Sequence, residues 1–174
     1  MLTVIGMGNV QFGDDGIGPA IIENLRASQR LATKTMTETE IELIDMGLDA
    51  LELVDYLPNR NQVLIVDAAR MGTEPGTMRI FKPTESHLVL QWDHLSLHGF
   101  GLAETYRLAG ELGILPEQFW ILGIQPGNVN PGTTLSPAVS TAIPNAVRLI
   151  HQLARHQPLA GELPTMCIDQ NGFA

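Results

Sequence analysis

A short apolar run, Leu2–Ile5, opens directly into Gly6-Met7-Gly8-Asn9-Val10-Gln11-Phe12-Gly13-Asp14-Asp15-Gly16. No other stretch constrains the fold as much. A first strand, a glycine-bearing loop and then a helix begin a β-α unit, and such loops usually aim backbone N–H groups at a phosphate. Two adjacent aspartates in that loop would repel a phosphate and attract a cation. The loop therefore reads as a nucleotide cradle rebuilt to hold metal. Gln11 occupies the third glycine position of the dinucleotide pattern, although Asp45 stands where a ribose-binding acid could lie. There is no Walker lysine-serine pair and no Gly-x-Ser-x-Gly elbow.

Behind this opening, strand-like and helix-like segments alternate. Leu2–Gly6, Thr39–Asp45, Gln62–Asp67, Thr77–Phe81 and Phe119–Ile124 read as strands. Val63-Leu64-Ile65-Val66 is a continuous apolar run, as in a strand buried on both faces. Ile17 to about Gln29 carries Ile17, Ile21, Ile22 and Leu25 at helical spacing, with Pro19 in the first turn, where a missing N–H costs nothing. Leu48–Leu57, Phe100–Leu112 and Ser136–Leu153 read as further helices. The pattern predicts an α/β fold: one three-layer domain over residues 1–157, with a mostly parallel five-stranded sheet and helices on both faces. Residues 158–174 carry little pattern and read as a loosely held tail.

Charge narrows the partners. Nineteen acids face ten basic residues, only two of them lysine, for a net charge of -9. Nucleic acid and anionic membrane surfaces both call for basic patches, so neither is expected. No secretion signal precedes the first strand and no run reaches membrane-span length, which makes a cytoplasmic protein the economical reading. The lone Cys167 excludes an internal disulfide and a multi-thiolate zinc site.

In open α/β sheets, ligands sit outside the carboxyl ends of the strands. Asp15 follows strand one, Asp45 closes strand two, Asp67 ends the apolar run of strand three, and His98 precedes the Phe100–Leu112 helix. All four can reach one sheet edge. Asp67, abutting Val63–Val66, should be partly desolvated and so want a cation or hydrogen-bond donors; a cap on the loop at Ala68-Ala69 is the plainer alternative. Of the tandem acids, Asp14 is assigned to local loop or cap bonding and Asp15 to the site. His94 and His98 have helical spacing, but no glutamate follows His94, so the zinc-protease helix motif fails. Two carboxylates and an imidazole leave coordination positions open and suit zinc, nickel or iron(II).

The chain resembles the hydrogenase maturation proteases, endopeptidases that trim the large subunit of nickel–iron hydrogenases. The motifs that carry the resemblance are Gly6-Met7-Gly8-Asn9 with Gly13-Asp14-Asp15-Gly16-Ile17-Gly18, then Asp45-Met46-Gly47, Val66-Asp67-Ala68, Pro75-Gly76-Thr77, and Ser96-Leu97-His98 with Gly101-Leu102-Ala103. They span about residues 1 to 150. The resemblance implies metal-binding and catalytic roles for Asp15, Asp67 and His98, and substrate contact at Asp45 and Gly47. Leu48 stands where the family's second-strand motif often has threonine. The implied substrate is a large-subunit precursor that brings its own nickel, with zinc or another divalent ion able to occupy the same place. A monomer is expected, because the partner must reach the sheet edge. Two other readings stay open: a non-catalytic nickel-binding maturation factor on the same triad, and a nucleotide-binding module on Gly6, Gly8 and Asp45.

Overall fold

The computed structural model describes residues 1–31, 41–83, 101–155 and 166–168, the last as backbone. Alternation along β3 (Gln62–Ala68) sets the layering. Leu64 and Val66 face one layer of the core, Val63 and Ile65 the other, and all four are buried. The first layer is closed by α1 (Ile17–Leu31) and the long α4 (Pro137–Arg155). Ile17, Ile21, Ile22 and Leu25 of α1 and Val139, Ala142, Ala146 and Ile150 of α4 supply its apolar stripes. Opposite lie α2 (Leu53–Tyr56) and α3 (Leu102–Glu111), through Leu53, Leu102 and Ala109. Each fully buried aliphatic side chain contributes roughly 2 kcal/mol.

Among the described residues, six strands form the sheet, in the order β2-β1-β3-β5-β4-β6. The strands β1 (Leu2–Met7), β2 (Ile41–Gly47), β3 and β5 (Gln118–Ile124) run parallel. β4 (Met78–Phe81) lies antiparallel to β5. The expected five strands are all present. Three residues from the tail, Met166–Ile168, add a sixth, β6, antiparallel to β4.

One expected helix is broken. Leu48–Leu57 is a 3-10 turn at Ala50–Glu52 followed by the single-turn α2. Asp49 explains the late start, because its carboxylate accepts the Leu51 N–H at 3.0 Å and so caps the turn.

β1 has β2 on one side and β3 on the other, with Gly6 level with both Asp45 and Val66. The chain leaves β1 for α1 at this junction, where the order of strands reverses. That is where open α/β sheets hold their ligands.

Candidate active site

Two glycines set the approach of the first loop. Gly8 has φ +125°, and a Cβ there would lie 1.9 Å from the Asp15 carbonyl oxygen and 3.6 Å from Asp67 Oδ1. Only a glycine lets the loop double back so closely and bring Asp15 over the end of β3. At Gly18, a Cβ would meet the Met7 and Val66 carbonyl oxygens at 2.1 and 2.5 Å, so the start of α1 sits directly on the ends of β1 and β3.

Asp15 belongs to a 3-10 turn, Gly13–Gly16, and is half-buried. Its Oδ2 accepts the Asn9 N–H at 3.0 Å, which ties it across the loop. Asp67 is also half-buried and, among the described residues, accepts one hydrogen bond, from the Ala68 N–H to Oδ1 at 2.8 Å. Burial, and after it the Asp15 carboxylate, push its carboxyl up to about 7, against the lowering effect of the Ala68 N–H. The cap expected as the plainer alternative is thus present in part. A single donor does not offset burial beside a like charge.

Asp14 behaves otherwise. It is fully buried, and the Gly127 and Asn128 N–H groups donate to its Oδ2 at 2.8 and 2.7 Å. Ser136 donates its N–H to Oδ1 at 2.6 Å and its hydroxyl to Oδ2 at 2.8 Å. Burial raises the carboxyl, but these donors outweigh it and hold the group below its ordinary value. The expectation of local loop or cap bonding is corrected in its reach: the bonding is to loop groups, but its donors lie on the loop after β5 and at the head of α4. Backbone bonds along the same seam, Gly13 N–H to Gly132 O at 2.6 Å and Asp14 N–H to Asn128 O at 2.8 Å, join the two loops.

Asp45 reaches the same edge but is exposed, beside the hollow formed by Gly8, Asn9, Val10 and Leu48. Gly47 follows a register shift in the β1–β2 pairing and accepts the Gly8 N–H at 2.8 Å. The structure therefore brings Asp15 and Asp67 together and sets Asp45 and Gly47 alongside. His98, with His94 and Ser96, lies outside the described residues. Among the described residues, no three His, Cys, Asp or Glu side chains form a metal-binding group.

A pair of carboxylates in partly desolvated surroundings at a sheet's ligand-binding edge can take a divalent cation or share a proton. Comparison with known proteins decides the family: the hydrogenase maturation protease family model matches residues 23–153. The chain belongs to that family. Its members are peptidases, and the matched region holds Asp45, Asp67 and His98 while the Asp14-Asp15 loop lies just ahead of it.

The hydrogenase expression/formation protein HoxM of Cupriavidus necator is 31% identical over 148 residues, covering 84% of this chain and 70% of its own. HupD of Thiocapsa roseopersicina, also named a hydrogenase expression/formation protein, is 29% identical over 149 residues, 85% of this chain and 65% of its own length. The hydrogenase maturating endopeptidase HybD of E. coli has a solved structure that superposes with a TM-score of 0.68 at 26% identity, covering 86% of this chain and 88% of that one. Among the described residues, no helix is long and apolar enough to cross a membrane.

Proposed function

We propose that this protein is an endopeptidase that removes a carboxyl-terminal extension from a nickel-loaded hydrogenase large-subunit precursor. Substrate nickel completes its coordination shell with Asp15, Asp67 and His98. The observation that carries this reading is Asp67: a strand-end carboxylate with one hydrogen bond, held beside a second carboxylate and raised to about 7. Such a group gains when a cation replaces its proton.

The metal arrives as part of the substrate, and zinc or another divalent ion fits the same donor set. Docked nickel fixes the scissile segment at the sheet edge, flanked by Asp45 and Gly47. One of the two site carboxylates takes a proton from water as its oxygen attacks the peptide carbonyl carbon. The C–N bond then breaks, and the leaving nitrogen takes a proton. The protein works in the cytoplasm as a monomer, with the sheet edge open to the folded precursor.

The test mixes the protein with nickel-loaded and nickel-free forms of a cognate precursor and follows intact mass. Loss of a carboxyl-terminal peptide from the nickel-loaded form alone is the expected result. An unchanged mass in both forms would leave a non-catalytic nickel-binding role in its place.

A further inference from the structure

The hollow beside the site does not end there. The space lined by Gly8, Asn9 and Leu48 shares Val10, Pro19 and Asp45 with a second groove of about 440 Å³ that follows the outer face of α1 past Glu23 to Arg26 and Arg30. Among the described residues, β2 is the edge strand on this side of the sheet. Asp45 lies at the end shared with the first hollow, and Glu23, Arg26 and Arg30 follow in turn along α1.

Those arginines stand out in a chain of net charge -9. Among the described residues, neither is in an ion pair. Arg26 donates one N–H to the Leu43 carbonyl at 3.5 Å, which orients the guanidinium and leaves its remaining donors for a ligand. Arg30 is exposed. From Pro19 to Arg30, α1 rises roughly 16 Å, room for about five extended residues.

We infer that this groove receives the extension of the precursor, with its terminal carboxylate held by Arg26 and Arg30; this rests on the cleavage reading above. A peptide running away from the cleavage point ends in one feature independent of its sequence, a carboxylate. Guanidinium groups bind carboxylates in a two-pronged, charge-assisted geometry. Asp45 and Glu23 favour neutral or basic residues in the stretch between.

The probe is a synthetic peptide with the sequence of the cognate extension, labelled at its amino terminus and followed by fluorescence anisotropy on the full chain. It is made as the free acid, as the terminal amide, and with side-chain carboxylates replaced by amides. Terminal amidation is expected to weaken binding about tenfold. Arg26→Gln with Arg30→Gln should weaken the free acid equally and erase the acid-over-amide preference, with an unchanged melting temperature.

Equal affinities for acid and amide, or no measurable binding of either, would overturn the inference. Sensitivity to the side-chain amides alone would also overturn it, by giving the arginines to an acidic side chain. The intact-mass assay separates this inference from the one beneath it. Acid-selective binding with an uncut precursor removes the protease reading and leaves the groove. Processing without acid selectivity removes the groove alone.

Discussion

Asp14 and Asp67 are carboxylates in adjoining parts of one sheet edge, and their surroundings pull them in opposite directions. Asp14 is enclosed by four donors from the loop after β5 and the head of α4. Asp67 has one donor and a like charge for a neighbour. Burial penalises both, so the number of donors decides the outcome. A buried carboxylate with a full set of donors is a structural fastener. One left short of donors beside a second acid has a standing demand for a cation or a proton. The same loop supplies both the fastener and Asp15, so the fastener fixes where the demand arises.

The comparison breaks most visibly at Asp14. Asp14→Ala would leave three backbone N–H groups and a hydroxyl without their acceptor, at a cost of roughly 3 kcal/mol or more. Denaturant unfolding should show that loss, and a change under about 0.5 kcal/mol would mean that the loops are held by something else.

Asp67→Asn should do the reverse. A carboxyl whose folded pKa is raised favours the folded state below the unfolded value of about 4, and that advantage is lost as pH rises through about 7. The asparagine variant should therefore be more stable than wild type at pH 8, by on the order of 2 kcal/mol, with the difference fading toward pH 4. It should also fail to process nickel-loaded precursor. A folded Asp67→Asn protein that cleaves at the wild-type rate would remove Asp67 from the site. Asp14 carries the opposite sign, since its lowered pKa gives stability above about 4 that is lost as pH falls through the folded value.

The smallest effect on stability belongs to Asp45, which is exposed. Asp45→Asn should shift unfolding by less than about 0.5 kcal/mol. Its mark should be a raised KM for precursor with kcat little changed. A fallen kcat with KM constant would place Asp45 in the chemistry instead.

Local pattern makes much of this legible in the sequence. The apolar run Val63–Val66, three of its four residues β-branched, reads as a strand covered on both faces, and strand ends in such a sheet gather at one edge, which is why Asp15 and Asp67 could be paired. Asp14 was beyond that reach because its donors stand 113 to 122 residues away, and no spacing in the chain encodes a contact at that distance. Asp49 redirected the residues after β2 into a capped 3-10 turn, where apolar periodicity alone suggested a longer helix. The three residues of β6 were too few to show alternation and take their form from pairing with β4. Both arginines of the α1 groove were visible as residues, but the groove exists only once α1 packs along β2.

The measurement that reaches the centre of this picture is a carbon-13 titration of the Asp67 carboxyl in the intact protein. The resonance would be assigned with Asp67→Asn, with zinc as a diamagnetic stand-in for nickel. A midpoint near 7 that drops sharply when zinc is added is the expected result. A midpoint near 4, unmoved by zinc, would show that Asp67 is as well satisfied as Asp14 and that the carboxylate pair has no call for a cation.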